Sequence, residues 1–210
     1  MIEGLNVSFY LTGGTALSRC YLNHRYSDDL DFFVNANPDF RRETQAVIDK
    51  LKQKNDWKVD IGLVSDSFVR LAIESNGVYL KVDFVNDIQY HKGDFQNNSV
   101  FKKVDNWSNI LSNKLCALSR MDAKDVVDIL FIASKYEFFW DEIFEDAKEK
   151  DLWVEPVEIS KIIKTFPEDQ LASIKWTSRV DIKALTDKIR TLHKDIFLVR
   201  KNSLKDRTPG

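Results

Sequence analysis

Cysteine, proline and glycine are scarce: the 210 residues hold 2, 4 and 7 of them. Cys20 and Cys116 lie far apart without ligand spacing, which argues against a disulfide framework or a thiolate zinc site. They are expected as free thiols packed like small apolar residues. So little glycine and proline, beside 43% hydrophobic and 12% aromatic residues, excludes a disordered or collagen-like chain. No window approaches the ~18 uninterrupted apolar residues of a membrane span. No basic stretch followed by an apolar run opens the chain, so no secretory signal is expected and the reading is a cytoplasmic protein with no membrane partner. Neither sign of charge dominates: 31 Lys+Arg against 33 Asp+Glu leave −2, a total that does not announce nucleic acid. The imbalance is local. Residues 151–210 carry 12 basic and 9 acidic side chains, the first 150 carry 19 and 24. That split suits either a metal-binding part beside an anion-contacting part or chance.

What is there is organised in two styles. Residues 8–12 read as a short strand broken by Gly13-Gly14, then a helix from Thr15 to Leu22 with Thr15 as its cap. Leu30 to Val34 is a second strand, and a helix follows Asn37-Pro38 to about Lys54. Period-two alternation then takes over. Trp57, Val59, Ile61 and Leu63 share one face, continued by Val69, Leu71 and Ile73; Asn76-Gly77 signals a hairpin, and Val78, Leu80, Val82 and Phe84 return. The other face carries Lys58, Asp60, Arg70, Glu74, Lys81 and Asp83, as in an antiparallel meander with one buried side. From about residue 105 the period becomes helical: Ile110–Met121, Ala123–Tyr136 capped by Asp122, Glu137–Lys150, a short helix from Pro156 to Lys164, and Asp181 to about Arg200, with a frayed tail from Asn202. The expected organisation is a sheet module at 1–104 and a helical module at 105–210, with a site in the cleft between them.

The densest chemistry lies between Gly13 and Phe33. Strand alternation puts Asp29 and Asp31 on one face, with Leu30 and Phe32 on the other. Two carboxylates so placed repel unless a cation joins them, and Mg²⁺ favours one or two carboxylates together with substrate phosphates. The Gly-Gly turn lets backbone N–H groups approach a phosphate. Asp83, on the polar face of its strand, completes a set of three if that strand neighbours Asp29 and Asp31. Three carboxylates holding two Mg²⁺ is an arrangement that activates an attacking hydroxyl and neutralises leaving pyrophosphate. Each feature alone has an ordinary explanation: a surface acid pair, a turn, a cross-strand charge ladder of Lys81 and Asp83 with Arg70 and Glu74. Their occurrence together and in this order favours the site.

The stretch from Phe9 to Phe33 resembles the signature of the AbiEii/AbiGii toxin family of nucleotidyltransferases, within the DNA polymerase beta nucleotidyltransferase superfamily. Gly13, Gly14, Thr15, His24, Arg25, Ser27, Asp29 and Asp31 stand at the positions of the family's opening motif. Lys81, Asp83, Phe84 and Val85 match a second element. Lys114, Ala117, Arg120, Lys124, Asp125 and Asp128 match a third. The resemblance implies an α/β (α+β) fold, with a small mixed, mainly antiparallel nucleotidyltransferase sheet, flanking helices and a following helical bundle. It implies a pyrophosphate-releasing enzyme that transfers NMP from an NTP to an acceptor hydroxyl. Asp29, Asp31 and Asp83 would hold Mg²⁺ or Mn²⁺. Gly13, Gly14, Thr15, Arg25, Ser27, Lys114, Arg120, Lys124 and Asp125 would hold the nucleotide, with Lys114 and Asp128 joining the catalytic set. It implies the toxin of a type IV toxin–antitoxin or abortive-infection system, a cognate antitoxin, and tRNA 3′ ends or another RNA as acceptor. A small-molecule or protein acceptor and a catalytically silent NTP-binding regulator are the rival readings.

The third element also has a reading of its own. Asp128 sits in an apolar run, where an unpaired carboxylate is costly. Lys124 and Asp125 lie one turn away, and Lys114 and Arg120 come from the preceding helix. Either a buried ion-pair network ties these helices together, or Lys114 reaches the triphosphate. Arg25 either contacts phosphate, buttresses Asp29 or satisfies helix carbonyls. His91 and His193 are expected as packed or solvated side chains, and the aromatics of 136–144 as core rather than a base-stacking surface.

Overall fold

Alternating apolar residues in the first half of the chain build a five-stranded sheet in the computed structural model, which describes residues 4–99 and 101–205. Strands β1 (Tyr10–Thr12), β2 (Asp29–Asn35), β3 (Lys58–Val64), β4 (Phe68–Ser75) and β5 (Val78–Asp87) lie in the order β1-β2-β5-β4-β3. Only β2 and β5 run parallel; every other neighbouring pair is antiparallel. Asn76 (φ 52°) and Gly77 (φ 77°) make the β4–β5 hairpin, both in the left-handed region that a two-residue primed turn requires.

The alternation sorts the sheet into two faces. Phe32, Val69, Leu71, Val82 and Phe84 are buried on one. Phe9 bridges from that face to helix α2 (Phe40–Lys52), its ring 4.9 Å from Phe84 and 6.1 Å from Phe40. An apolar cavity of about 380 Å³ remains there, lined by Phe32, Val47, Leu51, Trp57, Val82 and Phe84 among others. The second face carries the acids.

β3 departs from the expected burial. Ile61, Leu63 and Val64 are exposed. The strand is at the sheet edge, and the ladder slips between Ile61 and Leu63, so Ile61 pairs with Leu71 but Leu63 pairs with Arg70. The irregularity at Gly62 turns Leu63 onto the polar face, a shift that alternation alone does not reveal.

The chain forms two compact units, residues 1–16 with 27–106 and residues 17–26 with 107–210. Residues 17–26, which the sequence places in the sheet module, thus belong with the helices. Helix α1 (Gly13–Ala16) ends the first passage through the sheet unit, and the chain continues as a π-helical stretch, Leu17–Leu22.

The second unit contains α3 (Trp107–Ala117), α4 (Ala123–Lys135), α5 (Trp140–Lys148), α6 (Pro156–Lys164) and α7 (Ile182–Phe197). A 3₁₀ turn, Leu118–Arg120, ends α3, and Met121 takes the left-handed conformation (φ 55°). Asp122 then caps α4, accepting from the Lys124 amide. Phe138, Trp140 and Phe144 are core, and Tyr136 stacks on Trp107 at 4.3 Å. The expected fraying from Asn202 does not occur within the described residues. The Asn202 amide donates to the Ala133 and Tyr136 carbonyls, the Ser203 amide and hydroxyl donate to Asp195, and Leu204 is buried. The tail supplies the partners that free carbonyls at the end of α4 need. The rest of that tail lies outside the described residues.

Candidate active site

Register brings the acids of the sheet unit together. Asp31 on β2 lies directly beside Asp83 on β5, and Asp29 lies beside Lys81. Facing residues on neighbouring strands share a face, so Asp29, Asp31 and Asp83 stand on the polar side as one group. The same lateral row extends both ways. Thr12 faces Asp31 from β1, and its hydroxyl donates to the fully buried Asp105 at 2.7 Å. Arg70 faces Asp83 from β4.

Cations of the protein occupy part of this row. Arg70 Nε and Nη2 donate to the two oxygens of Asp83, each at 2.8 Å. Lys81 Nζ is 2.8 Å from Asp29 and 3.9 Å from Asp83. The hydrogen bond to Asp83 pushes the Arg70 guanidinium further up, with Asp29 and Asp31 adding to it. Among the described residues, no three His, Cys, Asp or Glu side chains converge closely enough to grip a metal. The donor chemistry nonetheless fits a hard divalent ion: three adjacent carboxylates, oxygen donors only, balanced by side chains that are partly exposed.

Gly13 explains itself beside this row. Its φ is +68°, and a Cβ built on it would meet Asp31 Oδ2 at 2.5 Å. The turn therefore needs glycine twice over, once for the backbone and once for the carboxylate. Thr15 does not act as a simple helix cap. Its hydroxyl donates to the Asp29 carbonyl, tying the Gly13-Gly14-Thr15 turn to the acidic strand. Ser27 is half-buried just before β2.

The third motif forms a buried charge network in the helical unit. Asp128, fully buried, accepts from Arg25 Nε and Nη2 at 2.7 Å each and lies 2.8 Å from His24 Nε2 and 2.7 Å from Lys114 Nζ. Asp125, also fully buried, accepts from Lys114 at 2.7 Å and from both arms of Arg120 at 2.7 and 2.9 Å. Burial alone would raise the Asp128 carboxyl; the Lys114 charge and the bonds from His24 and Arg25 outweigh it and hold it well below the usual carboxylate range. Burial likewise opposes the Lys114 ammonium, and Asp128 and Asp125 overcome it, so its affinity for the proton rises. Arg120 is the solvent-facing member, its side chain 60% exposed. Lys124 is exposed and stays outside the network. Among the described residues His24 Nδ1 is buried without a partner, against the Phe131 ring at 4.9 Å.

Thus Asp29, Asp31, Asp83, Gly13, Gly14 and Thr15 are gathered in one unit, and Arg25, Lys114, Arg120, Asp125 and Asp128 in the other. Sequence reasoning missed Thr12 and Asp105, while His91, expected as a packed or solvated side chain, packs against Tyr10 and Phe95 with its Nε2 3.0 Å from Asp105. Nothing local marks Thr12 and Asp105, because their association depends on residues 103–105 running beside β1. Arg70 was visible only as a member of a charge ladder.

Residues 2–196 match the family described as Nucleotidyl transferase AbiEii toxin, Type IV TA system. No curated protein matches by sequence. Among solved structures, a Helicobacter pylori protein proposed to be a nucleotidyltransferase is 21% identical with a TM-score of 0.63, over 92% of this chain and 88% of that one. JHP933 from Helicobacter pylori is 21% identical with a TM-score of 0.62, over 92% and 85%. MenT4, a nucleotidyltransferase toxin from Mycobacterium tuberculosis H37Rv, is 16% identical with a TM-score of 0.61, over 90% and 75%. At these identities the structural likeness speaks for the fold.

Proposed function

This chain belongs to the AbiEii nucleotidyl transferase toxin family of type IV toxin–antitoxin systems, and from that premise we propose that it transfers NMP from an NTP to the 3′ hydroxyl of an RNA, with tRNA as the acceptor to test first. The observation that carries the reading is the register of Asp31 against Asp83, with Asp29 on the same face and the Gly13 turn against Asp31. Asp29, Asp31 and Asp83 are the residues that would hold Mg²⁺ or Mn²⁺. When bound, the metal supplies charge neutralisation on the phosphates and activation of the acceptor hydroxyl. The Gly13-Gly14-Thr15 backbone offers N–H groups to the triphosphate, and Thr15 fixes that turn to β2 through the Asp29 carbonyl. The acceptor oxygen forms a bond to the α-phosphorus and the bond to pyrophosphate breaks. The rate gain comes from positioning and electrostatics.

The helical network carries three cations, Arg25, Lys114 and Arg120, against the carboxylates of Asp125 and Asp128. We assign its excess positive charge, presented by Arg120, to contact with an anion, and Lys114 and Asp128 to positioning it. A cognate antitoxin is the protein partner that the family implies.

The test is incubation with divalent metal, each α-³²P-labelled NTP and total bacterial RNA, beside an Asp29→Ala/Asp31→Ala control. A labelled tRNA-sized band absent from the control is expected. Label on protein or small molecules instead would replace the acceptor. Label nowhere would overturn the transfer reaction. Asp31→Asn should abolish both transfer and toxicity, and full activity in that variant sinks the metal assignment.

A further inference from the structure

Asp83 is one of three carboxylates assigned above to the metal, yet both of its oxygens already accept from Arg70 at 2.8 Å. A two-pronged guanidinium–carboxylate pair is among the strongest that side chains make. It is also a cation set on the atoms a metal would use. Three features separate it from an ordinary structural ion pair. First, the pair is lopsided: the Asp83 side chain is 8% exposed and that of Arg70 is 45% exposed. The cation can leave toward water without stranding itself in a dry interior. Second, Arg70 faces Asp83 across the β4–β5 ladder and Asp83 lies beside Asp31 on β2, so the guanidinium stands at the end of the acidic row. Third, the Phe68 ring lies 5.2 Å beneath the guanidinium, two residues back on the same face of β4, and an aromatic face is a resting surface for a displaced arginine.

We propose that Arg70 is a displaceable stand-in for the divalent cation, holding Asp83 until a metal–triphosphate complex arrives and then turning its charge to the phosphates. A bare metal ion must compete with Arg70 and offers it no anion in exchange. A metal–nucleotide complex takes Asp83 and brings an anion for Arg70 to meet. Metal and nucleotide binding are thereby coupled, and the carboxylates stay neutralised between turnovers. Arg70 is a positioning residue in this scheme. The inference rests on the metal–NTP reading of the site.

The test needs no turnover. Mn²⁺ is titrated into the full chain and free ion is counted by electron paramagnetic resonance, with and without the α,β-methylene analogues of the four NTPs. Wild type should bind Mn²⁺ weakly alone and more tightly with an analogue. Arg70→Gln should bind Mn²⁺ alone about tenfold tighter or more, the worth of a charged hydrogen-bonded pair, and should lose most of the gain from nucleotide. Arg70→Lys, which keeps the charge without the fork, should fall between them and serves if the Gln variant folds poorly. Adding Asp83→Asn to Arg70→Gln should erase the tightening. Equal Mn²⁺ affinity in wild type and both Arg70 variants overturns the stand-in and leaves the metal site intact. No Mn²⁺ bound by any of them overturns the metal reading and the stand-in together.

Discussion

Single side chains decide both halves of this molecule, and burial decides which substitutions matter. Asp128 is fully buried with Arg25 and Lys114 as its main ion-pair partners. Asp128→Ala would leave two buried cations short of a counter-charge, and a cost of about 3–5 kcal/mol is expected. Arg120, half in solvent, leaves Asp125 still paired with Lys114, so Arg120→Gln should cost no more than about 1 kcal/mol. Denaturant melts of both variants check the contrast; equal losses would mean that the network is not organised around Asp128. Gly13→Ala combines a left-handed backbone with a Cβ pressed on Asp31. A loss of about 1–3 kcal/mol is expected, together with loss of transfer. A stable, active Gly13→Ala variant would show that the turn can rearrange away from Asp31.

Elements were legible where the sequence repeats a period and less so at their ends. The hairpin at Asn76-Gly77 stands as read, because both residues tolerate positive φ. The Glu137–Lys150 helix shortens to Trp140–Lys148, since Phe138 turns into the core and Phe139 precedes the helix in extended conformation. β3 lost its buried face to an edge position and a slipped register. Leu63→Lys should therefore change stability by less than about 0.5 kcal/mol, the ordinary range for exposed sites. Leu71→Lys, on the paired buried strand, should prevent folding; comparable soluble yields of the two would contradict the register. The tail is the opposite case. Asn202→Ala removes two donors from the carbonyls at the end of α4, and a loss of about 1–3 kcal/mol is expected from thermal melts.

At the scale of the whole chain, the buried network makes stability depend on pH in a defined direction. The folded Asp128 carboxyl titrates below its unfolded value of about 3.9. Its contribution is then complete above that value and is lost as pH falls through the folded one. The folded Lys114 ammonium titrates above its unfolded value of about 10.4, so its contribution is complete below that pH and is lost as pH rises beyond it. The network should thus be at full strength across neutral pH. Melting temperatures of wild type and Asp128→Asn should converge in strong acid and separate on the way to neutrality. Parallel curves would place the acid sensitivity elsewhere. Under the proposed function, Mg²⁺ with the preferred NTP analogue at about 100 times its Kd should add about 2.7 kcal/mol. Asp31→Asn should show no such rise in melting temperature.

The sequence by itself determined which side chains share a face and the kind of structure that carries them. Asp29 and Asp31 must share a face because strand side chains alternate, Gly13 must be glycine in so sharp a turn, and an aspartate inside the apolar run of α4 must find cations. Those are local consequences of backbone geometry and desolvation, and they need no knowledge of distant residues. Tertiary structure alone decided the partners. Parallel pairing of β2 with β5 chose Asp83 for Asp31, and the shift at Gly62 put Leu63 beside Arg70. Residues 103–105, running beside β1, delivered Asp105 to Thr12. The side chains of 24 and 25 went to Asp128, more than a hundred residues away. Strand order, register and long-range ion pairing arise from packing the chain on itself, and one stretch of sequence read alone does not contain them.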